Sequence, residues 1–204
     1  MLKYRNMKKT GIIVALVAVV AVIFLWGIGV NNRLVTADEG VQQSWAQVEN
    51  VYKRRADLIP QLVATVQGAA NYEKSVLTEV TNARAGIDNV KIDPSQLTEE
   101  QVAAYQKAQD NLTKAVANTI KVTVERYPEL TATQGFRDLQ TQLEGTENRI
   151  TVERGKFNEA VQKYNTMLRR FPASIIASIC GFDKKGYFKA PEGSEEPVKV
   201  EFDF

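Results

Sequence analysis

Positions where a charged side chain breaks an apolar pattern are candidates for chemistry, and Arg55 is one of them. It stands three residues after Tyr52 and four before Ile59, where a heptad would place an apolar residue. A guanidinium buried there needs a partner, because an unpaired charge is costly to remove from water. The matching break in the last long pattern falls at Thr146 and Glu147, between Leu143 and Ile150, and Arg154 breaks the next heptad. Glu147 is the obvious carboxylate for Arg55, with Asp57 and Asn148 as alternatives. Two chemistries fit these groups. A polar layer of Arg55, Asp57, Glu147 and Arg154 would set the register between helices, the best-attested use of a buried polar group in a coiled coil. A ligand pocket built from Arg54, Arg55, Asp57, Glu147 and Arg154 is the sharper rival, and the register layer is preferred to it because polar layers commonly serve as structure in long bundles.

Other chemistry finds little support. The 204 residues include no histidine and one cysteine, so Ser-His-Asp and Cys-His machinery, His-ligated zinc and a histidine pH switch are excluded. A metal site would rest on carboxylates alone, and neither a metal site nor a cofactor site is expected. The carboxylate pairs Glu99-Glu100 and Glu195-Glu196 make no convincing glycosidase dyad, since neighbours on a helix point apart and the second pair lies in a polar tail. No catalytic residue is therefore assigned. A net charge of +2 is too even for a nucleic-acid footprint. Cys180, in the apolar run IIASICGF, reads as a buried inert thiol, with an intermolecular disulfide as the alternative.

The elements that must position these groups are helices. Gly11 to Val30 carries no charge and would span roughly 30 Å as a helix, matching a bilayer core. Lys3, Arg5, Lys8 and Lys9 precede it while Asp38 and Glu39 follow, which puts the N-terminus in the cytoplasm. A cleaved signal peptide is the competing reading, because Val35-Thr36-Ala37 would suit cleavage before Asp38. From Val41 a helical stripe runs through Trp45, Val48, Tyr52, Ile59, Leu62, Val66, Ala69, Val76, Val80 and Ala83, with Pro60 forcing a kink or a restart that Asp57 could cap. The stretch from Gly86 to Pro94 reads as a loop. A second helix starts near Thr98 in a T-x-x-Q capping box, buries Val102, Tyr105, Leu112, Val116, Ile120 and Val124, and stops at Tyr127-Pro128. The third runs from about Ala132 to Arg170, with Phe136, Leu139, Leu143, Ile150, Phe157, Val161, Tyr164, Leu168 and Phe171 on one stripe. A short apolar helix then folds back on the bundle. The aromatics Trp45, Tyr52, Tyr105, Phe157 and Tyr164 read as core rather than as a ligand box. The tail ends with Val198, Val200, Phe202 and Phe204 in strict alternation, the pattern of a strand that could dock on another protein's sheet edge.

The expected class is all-α: a transmembrane helix followed by an antiparallel coiled-coil-like bundle of three to four long helices. Residues 1–10 form a basic cytoplasmic segment, 11–30 the transmembrane helix, 31–183 the extracytoplasmic bundle and 184–204 the tail.

Two segments resemble the LemA family of bacterial single-pass membrane proteins. One is NNRLVTADEGVQQSWAQVENVYKRRADLIPQLVATV, with W-x-x-V, RRADLIP and LV. The other is LEGTENRITVERGKFNEAVQKYNTMLRRFPASIIASICGF, with TENRI, R-x-x-[FY]-N, YN and FP, followed by Tyr187-Phe188. Phe157 stands where the family usually shows Tyr, and Ala173-Ser174 replaces a commoner polar pair. The resemblance implies a short cytoplasmic N-terminus, one transmembrane helix and an extracytoplasmic bundle, without implying an activity or site residues.

The expected function is thus a non-enzymatic, membrane-anchored scaffold or interaction protein of the bacterial envelope. The alternative is a ligand sensor or an accessory subunit of a membrane partner such as a protease. Expected partners are the bilayer through residues 11–30, unidentified envelope proteins and further copies of the chain as a homo-oligomer, with no nucleic acid. Protease shaving of spheroplasts with N-terminal sequencing should recover membrane-bound chain cut only outside the cytoplasm; a soluble species starting at Asp38 would refute the anchor.

Overall fold

The computed structural model describes residues 2–68 and 74–190, which form helices and loops without a strand. Helix α1 runs Leu2–Gln67, α2 Lys74–Asp88, α3 Glu99–Arg126, α4 Pro128–Thr131, α5 Gln134–Arg169 and α6 Ala173–Cys180. Ala69 of the first stripe and the alternating Val198, Val200, Phe202 and Phe204 lie outside the described residues.

Helix α1 is 66 residues long, about 100 Å, and passes without a break from the apolar segment into the bundle. Among the described residues it is the one helix long and apolar enough to cross a membrane. Residues 13–26 are exposed on every side, and from residue 13 onward Leu34 is the first fully buried side chain. The restart that is one of the two expected outcomes at Pro60 does not occur, and the helix runs through the proline. A proline removes one helical N–H and leaves the carbonyl four residues earlier without its bond, and here the Ala56 carbonyl accepts from Arg84 Nε of α2 at 3.2 Å. Helix continuity is thereby kept, Asp57 caps nothing and is exposed, and α1 ends at Gln67 instead.

The chain folds up and down. One apolar cluster joins Val41 to Tyr52 of α1 with Val102 and Tyr105 of α3 and Ile150 to Leu168 of α5. A second joins Leu58 to Val66 with Leu77 and Val80 of α2, Leu112 to Val116 of α3, and Phe136 to Leu143 of α5. Residue numbers rise from the first cluster to the second along α1 and α3 and fall along α5, so α5 lies antiparallel to both.

Several local expectations shift. Helix α2 continues to Asp88, so the loop starts later than Gly86. The Thr98 hydroxyl accepts from Gln101 N at 3.3 Å, but the Gln101 side chain turns to Asp93 N at 3.4 Å, so only half of the capping box forms. On α3, Val124 is 49% exposed and Ile120 half-buried, while Thr119 and Thr123 take the buried positions by bonding the carbonyls four residues back, which satisfies their hydroxyls within the helix. Phe171 is 81% exposed, because α5 ends at Arg169 and the chain turns away before it. Cys180 is exposed rather than buried: α6 faces the bundle with Ala177 and ends at Gly181 in the left-handed region, leaving its last turn outside.

The largest departure is residues 182–190, much of which the sequence reading sets apart as tail. They form an extended strap across the bundle, with Phe188 only 4% exposed. Its ring stacks on Trp45 at 5.9 Å and meets Phe157 edge-on at 5.3 Å. Gly186 crosses the start of α3 so closely that a Cβ there would lie 2.7 Å from Glu99 Cα. Melting the full chain in detergent should show Phe188→Ala losing about 3–5 kcal/mol, as for other buried aromatics, while Tyr187→Ala loses less than about 1 kcal/mol. Equal losses would contradict a docked strap.

Candidate functional site

The polar centre of the bundle forms where the two apolar clusters meet. Arg55 is 3% exposed and reaches from α1 to both α3 and α5. Nη1 donates to Thr113 Oγ1 at 2.5 Å and to Glu147 Oε2 at 2.9 Å, and Nη2 donates to the Gln109 side-chain oxygen at 2.6 Å and to its backbone carbonyl at 3.0 Å. The guanidinium lies 5.2 Å from the centroid of the Tyr52 ring. Only Nε lacks a partner among the described residues. Glu147 keeps 44% of its side chain exposed, so this ion pair has one buried and one wet member. Burial pushes the Tyr52 phenol up to about 12 against the opposing pull of the Arg154 and Arg55 charges.

The other predicted site residues are spread out. Arg54, Asp57 and Asn148 are exposed. Asp57 lines a cleft of about 470 Å³ between α1, the end of α2 and α3, where Glu49 and Asp88 also face Lys53 and Arg84. Tyr52, Tyr105 and Gln109 border it, whereas Arg54, Arg55, Glu147 and Arg154 do not. Arg154 belongs to the strap: it donates to the Lys189 carbonyl at 2.8 Å, lies 4.9 Å from the Phe188 ring and faces Asp110 at 3.9 Å. Of the expected layer, Arg55 and Glu147 are brought together while Asp57 and Arg154 lie elsewhere, and the residues of the rival five-residue pocket line no common cavity.

What does assemble is a groove between α3 and α5 that pairs extended backbone. Asn165 takes the N–H and C=O of Lys185 at 3.0 and 2.9 Å. Asn158 takes those of Phe188, both at 2.9 Å. Gln106 takes those of Lys189 at 2.9 and 3.0 Å. A primary amide offers one acceptor and a donor side by side, so each acts as a neighbouring strand residue would. Leu97, held at φ 47°, aims its carbonyl at Gly186 N, 2.8 Å away. Lys185 is 6% exposed and ends 3.0 Å from Asp38 of α1, with the Ser95 carbonyl as a further acceptor. Burial and the nearby Asp38 push the Tyr164 phenol upward.

The sequence pattern of the LemA family matches residues 44–202, a span that includes both the Arg55 layer and the strap. The chain belongs to the LemA family. Magnetosome protein MamQ 2 of Paramagnetospirillum magneticum is 25% identical over 184 residues, covering 82% of this chain and 67% of its own length. Magnetosome protein MamQ of Magnetospirillum gryphiswaldense is 24% identical with the same coverage. Protein LemA of Metamycoplasma hominis is 19% identical over 187 residues, covering 92% of this chain and 81% of its own. With α1, these likenesses make the chain a membrane-associated protein of the LemA family.

The resemblance motifs now have physical tasks. TENRI supplies Glu147 to Arg55, and the asparagines of R-x-x-[FY]-N and YN, seven residues apart on α5, hold the strap. Those two asparagines and Gln106 went unassigned as site residues, although two amides one heptad apart on an apolar stripe were a usable signal. The arrangement ties α1, α3 and α5 together at Arg55 and holds the strap on α3 and α5; among the described residues no three carboxylates or thiolates cluster closely enough to hold a metal ion. Arg55→Ala should lose about 3 kcal/mol, from acceptors left unmade on Gln109 and Thr113 and from lost packing. Glu147→Gln should lose only about 1 kcal/mol, since the amide still accepts and the position is half wet. Thermal melts that rank the two equally would exclude this layer as described.

Proposed function

We propose that this LemA-family chain is a membrane-anchored, non-catalytic scaffold or interaction protein of the bacterial cell envelope. It crosses the cytoplasmic membrane once, with the N-terminus inside and the bundle outside, in keeping with Lys3, Arg5, Lys8 and Lys9 on one flank and Asp38 and Glu39 on the other. One observation carries the reading: the side chains of Arg55, Asn158, Asn165 and Gln106 are paired with neighbouring helices or with the strap's backbone rather than aimed together at a cavity, although Trp45 Nε1, Tyr52 Oη and Arg55 Nε have no hydrogen-bond partner among the described residues. Arg55 uses both terminal nitrogens on Thr113, Glu147 and Gln109, and Asn158, Asn165 and Gln106 hold backbone. The chemistry left for other molecules lies on the outside, where the partners would be the bilayer, envelope proteins and further copies of the chain. Relatives named for the magnetosome are named for a cellular body rather than a reaction, which agrees with an assembly role.

The cleft beside Asp57 supports a second reading, a ligand sensor or an accessory subunit of a membrane partner such as a protease. Proximity labelling from intact cells separates the two. A scaffold should mark the same neighbours, several-fold above a control that carries the same anchor on an unrelated domain, and Glu49→Lys with Asp88→Lys should leave that set unchanged. Loss of the neighbours in the cleft variant would transfer the assignment to the sensor reading, and no enrichment over the control would remove the scaffold.

A further inference from the structure

Helix α6 is apolar on both sides. Ala177 is buried toward the bundle, with Ala173, Ser174 and Ile176 half-buried around it. On the opposite side Ile175 and Ile179, one turn apart, are 50% and 75% exposed, and Phe171, which precedes the helix, is 81% exposed. The polar side chains of α6 are Ser174 and Ser178 alone, and so apolar a helix belongs in a core or against lipid.

Its position says which. Ile176 Cδ1 lies 3.5 Å from where a Cβ on Gly27 would be, so α6 packs against α1 inside the charge-free run that ends at Val30. Three residues of helix separate Gly27 from that end, about 4.5 Å along the axis. Residues 13–26 of α1 are exposed against all the described residues. Exposed Arg169 and Arg170 precede α6 and exposed Lys184 follows it, the cations that suit phosphate headgroups on either side of a shallow apolar helix.

We propose that α6 is an interfacial helix whose Ile175 and Ile179, with Phe171 just ahead of the helix, insert into the outer boundary of the bilayer that α1 crosses. The inference rests on α1 spanning the membrane. It gives the bundle a second contact with lipid, beside the span, so that its base is seated on the membrane rather than standing clear of it.

Cys180, the sole cysteine and exposed at the end of α6, is a natural probe site. The full chain, labelled there with an environment-sensitive nitrobenzoxadiazole dye, is reconstituted in vesicles of phosphatidylcholine and phosphatidylglycerol. A blue-shifted emission, quenched several-fold more by a nitroxide on shallow acyl carbons than by aqueous iodide, is expected. Ile175→Glu with Ile179→Glu should reverse that preference while the chain stays in the vesicles. Val19→Cys on a Cys180→Ser background reports the span itself. Lipid quenching at position 19 with iodide quenching at position 180 would overturn the interfacial helix and leave the anchor intact. Shielding of the Cys180 dye from both quenchers would overturn it in favour of coverage by a second copy. Iodide quenching at position 19 would overturn the span and the inference with it.

Discussion

The buried guanidinium of Arg55 constrains the bundle more than any apolar contact does. Leucine and valine faces tolerate sliding, because one methyl replaces another with little penalty. Arg55 does not, since its donors must meet Gln109 and Thr113 on α3 and Glu147 on α5 at once. A slip of α5 by one turn, about 5.4 Å, would remove the carboxylate. A slip of α3 would remove both acceptors of Gln109. The layer sits between two apolar clusters, so each cluster is free to be chosen for packing while the arginine selects their alignment. Its contribution lies in register more than in net stability, which a well-packed apolar layer could match.

The strap obeys the same rule from the backbone side. An extended segment laid across helices has no sheet ladder, yet its N–H and C=O groups must be paired once buried. Three amide side chains pair Lys185, Phe188 and Lys189, the Leu97 carbonyl accepts from Gly186 N and the Tyr164 hydroxyl donates to the Asp183 carbonyl, and the strap in turn places Phe188 among Trp45, Tyr52 and Phe157. Without that ring the aromatic cluster would be open on one side. The bundle is therefore incomplete at the end of α5 and is closed by residues that carry no helical pattern. Close approach makes Gly186 necessary, as a side chain there would strike the backbone of α3.

Periodicity carried the helical class, the apolar stripes and the Arg55–Glu147 pairing because each is a repeat along one strand of sequence. Features that depend on a second element were hidden from it. Pro60 reads as a kink or a restart in isolation, and only the arrival of Arg84 at the Ala56 carbonyl explains why the helix survives. Arg154 reads as part of the same layer as Arg55, yet the strap draws it one heptad away to Lys189 and Phe188. Cys180 sits in an apolar run and reads as buried, but a helix as short as α6 hides one side only. Extended segments held by side-chain amides leave almost no trace in hydropathy, which is why the strap was grouped with the tail.

Continuity of α1 has a mechanical consequence for a chain that crosses a membrane. No loop separates the apolar run from the core, so the bundle cannot swivel freely on its anchor as a domain on a flexible linker would. Heights above the bilayer follow from helical rise alone. Arg55 lies 25 residues beyond Val30, about 38 Å along the axis, and Gln67 lies about 56 Å along it. A register layer then does more than align three helices. By fixing α3 and α5 against α1, it fixes the level at which each exposed face is offered, including the cleft beside Asp57 and the far end near Gln134. Under the proposed scaffold role, a fixed level is the property that helices without loops at the base would supply.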